Sequence, residues 1–172
     1  KMKRSPSRSI LHSLHSLVWV LGLMPLPAYA DEPAPEQLSD GQSNASALAL
    51  SGSGTADDPY QIATAQDLAE FRDAVNAGNN GICAQLTDDI TLSGEWAPIG
   101  TNDYYYTGTF DGANHTVSGL SVTQAPDDSG FFADLGDGCV VKNLKVEGTV
   151  STTTQYAGGI AGFAQKATIS NC

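Results

Sequence analysis

The sequence predicts an all-β protein in which short strands stack as a parallel β-helix, a solenoid, with one amphipathic helix capping its N-terminal end. A unit made of a glycine with an apolar pair, a turn and an apolar-x-x-apolar motif recurs at offsets of 24 to 29 residues. Gly-, Asp- and Asn-rich turns separate short β-branched runs. One segment alone has the periodicity of an amphipathic helix, and it precedes all the repeats.

The first thirty residues have the features of a secretory signal peptide. Four basic residues lie within the first eight, an apolar stretch follows, and Ala28-Tyr29-Ala30 fits the small-x-small pattern of a cleavage site. Histidines and prolines interrupt the apolar stretch, which is shorter than the roughly 20 residues needed to span a bilayer. We predict that residues 1–30 are a signal peptide and that the mature chain has no membrane insertion. An uncleaved membrane anchor is the alternative.

Removal of this leader makes the chain strongly acidic. The net charge is −11 for the whole chain, but residues 31–172 hold all 19 Asp and Glu with only four Lys and Arg, a net of −15. Such a surface repels phosphate backbones, so nucleic acid is excluded as a partner, and anionic lipid surfaces are disfavoured. Three widely spaced cysteines are neither a disulfide framework nor a zinc site, and each is expected to be a small core residue.

Residues 31–54 are rich in Pro, Ser, Gly, Asn and Ala and contain no aromatic side chain, which predicts a disordered linker. The folded part is predicted over residues 55–172. It begins with a helix over Thr64–Ala77, in which Thr64 and Asp67 form a capping box and Gly78 ends the helix. The apolar stripe of the helix would cover the open strand edge of the first coil.

Stacking of the repeats predicts which side chains lie above one another. Three stacks are expected along the coils: Val117 with Val141 and Ile169, Leu120 with Leu144 and Cys172, and Asn143 with Asn171. The first two stacks are apolar and face the core, because a single coil cannot bury its own apolar face. The third would be the start of an asparagine ladder in which each side-chain amide bonds the next.

Several segments resemble bacterial secreted or cell-surface proteins with GLUG-motif repeats. They are GSGTADDPYQI with the helix after it, LTDDITLSGEWAPIG, YTGTFDGANHTVSGLSV, SGFFADLGDGCVVKNLKVEGTV, and YAGGIAGFAQKATISNC, which is similar to the repeat itself. Ala133 departs from the pattern where Gly162 matches it. The resemblance implies a right-handed parallel β-helix, of which residues 55–172 would be the N-terminal cap and first coils, truncated at the C-terminus. It also implies a secreted or cell-wall location, and the same repeat accompanies some IgA-cleaving metallopeptidases.

Aromatic residues supply the candidate contact surface. Tyr104, Tyr105 and Tyr106 follow shortly after Trp96 and form the one aromatic cluster of the mature sequence. Exposed rings of this kind stack on sugar faces or anchor a protein partner. The alternative is that two of the four pack against the helix and the first coil.

Acidic residues raise two further hypotheses. Asp111 and His115 could be a general acid/base pair, but a turn is the better interpretation because no nucleophile lies nearby. Adjacent aspartates at Asp57 and Asp88 could hold a structural calcium ion, and no other cofactor is expected.

The function predicted from these features is a non-catalytic, adhesin-like module that contacts a host or microbial surface protein or a glycan. The alternative is an accessory N-terminal region of a secreted enzyme, either an IgA-cleaving-type metallopeptidase or a glycan-active β-helix enzyme.

Overall fold

Ten short strands and one helix make up the part of the chain that the structure, a computed structural model, describes, which is residues 48–124, 128–153 and 156–172. The predicted signal peptide and residues 31–47 of the predicted linker lie outside the described residues. The elements are β1 Tyr60–Ile62, α1 Ala65–Asn76, β2 Ala84–Leu86, β3 Ile90–Thr91, β4 Thr109–Asp111, β5 Thr116–Val122, β6 Phe132–Leu135, β7 Val140–Lys142, β8 Lys145–Val150, β9 Ala161–Ala164 and β10 Thr168–Ser170. The predicted all-β class is confirmed.

The strands form three parallel sheets. A five-stranded sheet has the order β1-β2-β4-β7-β10, a three-stranded sheet has the order β3-β5-β8, and β6 pairs with β9. Paired residues lie between 24 positions apart, as for Tyr60 and Ala84, and 31 positions apart, as for Phe110 and Val141. The chain therefore returns to the same sheet about once every repeat, and each return adds a parallel strand beside the previous one.

The helix follows the sequence prediction closely. Thr64 caps α1 by accepting a hydrogen bond from the Asp67 amide, and the Asp67 carboxylate accepts one from the Thr64 amide, so the predicted capping box is present. Gly78 has a φ of 109°, which suits the end of the helix. The buried side chains of α1 are Leu68, Phe71, Ala74 and Val75.

An aromatic cluster occupies the core and connects α1 with the sheets. Phe110 of β4 lies 5.8 Å from Phe71 of α1 and 5.5 Å from Phe132 of β6, measured between ring centroids. Phe131 and Tyr106 extend the cluster, and all five rings are fully buried. The helix is thus packed on the same rings that the sheets bury.

The predicted stack of Val117, Val141 and Ile169 is wrong in its first member. Val141 and Ile169 are paired residues of β7 and β10, as predicted. Val117 lies in the three-stranded sheet, where its partners are Ile90 and Val146. The apolar-x-x-apolar motif occurs in two different sheets of each repeat, so the offset of 24 compared strands that do not pair.

The second predicted stack has the same error. Leu120 belongs to β5 and pairs with Gly148, so it lies in another sheet from the strand that precedes Leu144. Leu144 is buried, whereas Cys172 is exposed and is not the small core residue that was predicted. Cys172 and Ile169, which is 43% exposed, belong to the edge of the five-stranded sheet that no described strand covers.

The predicted asparagine ladder is present and has one more member than expected. The Asn171 side-chain amide donates to Asn143 Oδ1 at 2.9 Å, and the Asn143 amide donates to Asp111 Oδ1 at 3.0 Å. Asn143 and Asn171 have φ values of 54° and 52°, in the left-handed region that asparagine tolerates. Neighbouring turns are therefore joined by side chains as well as by the sheets.

The folded part starts earlier than predicted. Ser51 pairs with Gln61, and the Gly54 carbonyl accepts a hydrogen bond from the Cys83 amide at 2.7 Å. Residues 51–54 therefore belong to the fold, and the predicted linker boundary at residue 54 is wrong by several positions. Across the described ranges, no helix has the length and apolar character needed to cross a membrane.

Candidate binding surface

Two of the four aromatic residues proposed as ligand contacts are part of the core. Trp96 is 5% exposed, stacks on Phe131 at 5.6 Å and donates from its ring nitrogen to the Phe131 carbonyl. Tyr106 is fully buried, and its hydroxyl donates to the Ile82 carbonyl. Neither side chain can contact a partner, so this part of the sequence prediction is wrong and the alternative of packing holds for both.

Tyr104 and Tyr105 remain accessible because a short loop carries them outward. The Asn76 side chain bonds both Pro98 and Gly100 at the start of this loop, and the Asn80 amide donates to the Tyr105 carbonyl at its end. Tyr104 is 43% exposed and Tyr105 is half-buried. Side chains at the end of α1 therefore fix the backbone that presents these two rings.

Two further aromatic residues join them. The ring of Phe163, in β9, lies 6.1 Å from Tyr105, and the ring of Tyr156 lies 5.8 Å from Phe163. Tyr156 is 49% exposed, and Phe163 is half-buried. We call Tyr104, Tyr105, Tyr156 and Phe163 the aromatic surface.

The sequence analysis missed Tyr156 and Phe163 because they flank a glycine-rich segment that was interpreted as a turn of the repeat. The signal was present in the register. Tyr106 bridges to Leu135, and Leu135 pairs with Ala164, so a fixed offset of 29 leads from the tyrosine cluster to Phe163. Carrying the repeat offset across two units would have placed Phe163 beside Tyr105.

The charges of the described surface are unevenly compensated. All four basic side chains of residues 31–172 lie in the described part, and each is within 4 Å of a carboxylate. The pairs are Arg72 with Asp73 at 2.7 Å, Lys142 with Asp111 at 3.2 Å, Lys145 with Glu147 at 2.5 Å and Lys166 with Asp137 at 2.9 Å. Asp103, next to Tyr104, and Asp128 are in no ion pair among the described residues. The surface therefore offers uncompensated negative charge and no uncompensated Lys or Arg within those residues.

The structure does not assemble the acid/base pair that Asp111 and His115 suggested. His115 Nδ1 lies 3.3 Å from Asp89 Oδ1, and the same oxygen accepts the Thr116 amide, which lowers the pKa of Asp89. Asp111 accepts hydrogen bonds from Ala113 and Asn143. Burial raises the pKa of Asp111, but these bonds and the Lys142 ammonium outweigh burial and leave it lowered. Asp111 thus has a structural role in the turn and the ladder.

Nothing among residues 48–124, 128–153 and 156–172 brings three His, Cys, Asp or Glu side chains together as ligands for a metal ion. The Asp88 carboxylate accepts the Asp89 amide, and Asp89 is bonded to Thr116 and His115. The hypothesis of a structural calcium ion at Asp57 or Asp88 therefore gains no ligand set from the structure.

Comparison with known proteins gives two similar sequences. One is a halomucin of Haloquadratum walsbyi, with 29% identity over 123 residues, which are 64% of this chain and 1% of the halomucin. The other is described as a Gly-rich membrane protein, from Evansella cellulosilytica, with 30% identity over 135 residues, which are 72% of this chain and 15% of that protein. The chain thus spans a small part of each relative. No protein-family model and no solved structure matches it.

Proposed function

We propose that this chain is a non-catalytic interaction module of a secreted or cell-surface protein, and that the aromatic surface is its contact site. The observation that carries the proposal is the grouping of four aromatic residues from separate segments, two of them more than 40% exposed. Large apolar rings exposed together are expensive to leave in water and are typical of interaction sites. The module would act as an adhesin does, by holding a host or microbial surface component.

The fold that presents this surface is, in our proposal, a right-handed parallel β-helix with α1 covering its first coil. Its support is the return of the chain to each sheet after 24 to 31 residues, always with a parallel strand. Connections between parallel strands of one sheet are almost always right-handed. The buried stripe of α1 packs on Phe110 and Tyr106, which belong to early strands and loops of the chain.

The proposed location is also supported by several independent features. The first thirty residues have a signal-peptide pattern, and the segments from Gly52 onward resemble GLUG-repeat surface proteins. The names of the two similar proteins, a halomucin and a membrane protein, agree with a surface or membrane-associated role. The absence of catalysis is supported by Asp111 and His115, whose side chains are bonded to different neighbours.

The test is a double substitution in the aromatic surface. Tyr104→Ala with Tyr156→Ala removes the two most exposed rings, and neither ring is among the fully buried core side chains. Fluorescently labelled protein is applied to cultured epithelial cells and to a glycan array. Because truncating an aromatic anchor typically costs about 2 kcal/mol or more, retention by whichever target binds the wild type should fall at least about tenfold.

Ile169→Thr is the matched control, since Ile169 is 43% exposed but lies in β10, outside the aromatic surface. It should bind as the wild type does. Equal binding by the double variant, or failure of the wild type to bind any cell or glycan, would contradict the proposed function.

A further inference from the structure

We infer that the aromatic surface accepts a cationic partner, namely a lysine- or arginine-rich segment of another protein. This inference rests on the proposed function and adds the chemical class of the ligand. It is argued from the rings, from the carboxylates beside them and from the pairing of every basic side chain in the described residues.

The rings provide the attraction that is specific for cations. The face of a tyrosine or phenylalanine ring carries negative electrostatic potential, and an ammonium or guanidinium group within about 6 Å of its centre is bound by it. Tyr104 and Tyr156 are the most exposed members, and Tyr105 and Phe163 lie between or beside them. The protein already uses this interaction internally, because the Arg72 guanidinium lies 4.8 Å above the centre of the Trp96 ring.

Two carboxylates lie against the rings. Asp103 is exposed and directly precedes Tyr104 in the chain. Asp128 lies close to Gly162, the residue before Phe163: a methyl group added to Gly162 would be 2.8 Å from Asp128 Cβ. Neither carboxylate has a Lys or Arg partner among the described residues. A cation on the rings would therefore meet negative charge at both ends of the aromatic surface.

The same charges argue against an anionic ligand. Lys166 is the basic residue nearest in sequence to Phe163, and its ammonium group is paired with Asp137 at 2.9 Å. With a net charge of −15 over residues 31–172, the protein repels anionic glycans and attracts basic segments over a distance set by the salt concentration. A neutral glycan would gain from the rings but not from the carboxylates, so it uses only half of what the surface offers.

The experiment measures binding of three probes to the whole chain by fluorescence anisotropy. The probes are a labelled octapeptide of alternating arginine and glycine, an octaglutamate peptide and a neutral β-glucan hexasaccharide, each at about 20 mM and about 300 mM NaCl. We expect the arginine peptide to bind, and its affinity to fall at least fivefold at the higher salt concentration because the field of exposed charges is screened. Octaglutamate should not bind.

Variants separate a local site from the overall charge. Tyr104→Ala with Tyr156→Ala should weaken the arginine peptide at least tenfold at both salt concentrations. Asp103→Asn should weaken it several-fold at low salt only, whereas Asp57→Asn, which removes the same charge from the exposed segment before β1, should have little effect. Equal effects of the two aspartate substitutions, or unchanged affinity in the tyrosine double variant, would show a general charge effect and overturn the inference.

The failure of this inference is distinguishable from failure of the proposed function. If the neutral hexasaccharide binds, is lost in the tyrosine double variant and is insensitive to salt, while the arginine peptide does not bind, then the contact surface is real and its ligand is a glycan. If all three probes fail and cells and glycan arrays also retain no protein, the proposed function fails with the inference.

Discussion

Among single residues, Asn143 combines two unusual properties. Its backbone φ is 54°, and its side chain bonds both Asp111 in one turn and Asn171 in the next. Asparagine suits this position because it tolerates the left-handed region and offers a donor and an acceptor on the same amide. The residue therefore fixes a turn and connects it to its neighbours at the same time.

Two substitutions at residue 143 should separate these contributions. Asn143→Gly removes the side-chain bonds but adopts the backbone conformation freely, and it should lower the free energy of unfolding by about 1–3 kcal/mol. Asn143→Ala removes the same bonds and adds a strain of about 1–2 kcal/mol. Urea denaturation of the whole chain should therefore rank wild type above glycine and glycine above alanine. An alanine variant as stable as the glycine variant would contradict the argument about φ.

At the scale of elements, Glu95 shows how a loop holds the end of a strand. Its carboxylate accepts hydrogen bonds from the amides of Thr123 and Gln124, just after β5, and from the Thr123 hydroxyl. The backbone hydrogen bond from Thr123 is the main reason that the pKa of Glu95 is lowered below 4.5. The ionised form is thus the one that secures the strand end.

This linkage predicts a pH dependence. Because the folded pKa of Glu95 is lower than the unfolded value of 4.5, its contribution is fully present above that value and is lost as the pH falls through the folded pKa. Glu95→Gln does not titrate, so its urea midpoint should fall less steeply than that of the wild type between about pH 6 and pH 3. Thr123→Val keeps the carboxylate and both backbone bonds and should retain most of the wild-type slope. Identical slopes for Glu95→Gln and the wild type would show that Glu95 is not linked to folding.

Elements differ in how well the sequence predicts them, and the physical reason is the range of their signals. The helix was predicted to within one residue at each end because Thr64, Asp67 and Gly78 act locally. Strands such as β1, β2 and β4 were missed because three residues are too few to show an alternating pattern. Pairing was partly misassigned, as for Val117, because similar motifs serve different sheets. The buried state of Trp96 and Tyr106 depends on neighbours far away in sequence, so the contact surface was only half predicted.

For the whole molecule, the aromatic cluster is the feature that joins all layers. Phe110 contacts Phe71 of the helix, Phe131 and Phe132, and it also belongs to the five-stranded sheet. Its ring is fully buried, so no solvent can fill the space if it is removed. Loss of this ring should weaken the helix and the sheets together.

Phe110→Ala should therefore lower the free energy of unfolding by about 3–5 kcal/mol, the usual cost of a large aromatic cavity. Phe110→Leu, which leaves a smaller cavity, should cost less. The loss of helix by circular dichroism and the change in tryptophan fluorescence should shift to the same lower denaturant concentration in both variants. Two separate transitions would mean that the cluster does not couple the helix to the sheets.

The spacing of paired strands has a consequence for how quickly such a chain can fold. Every strand partner in the described residues lies 24 to 31 positions away, so each new pairing closes a loop of nearly the same size. The entropy lost on closing a loop depends on its own length and not on the length of the polypeptide. Relative contact order consequently falls as repeats are added, and folding rates of two-state domains rise as relative contact order falls. Proteins as long as the halomucin, of which this chain matches 1%, could thus be assembled from such repeats without slower individual steps.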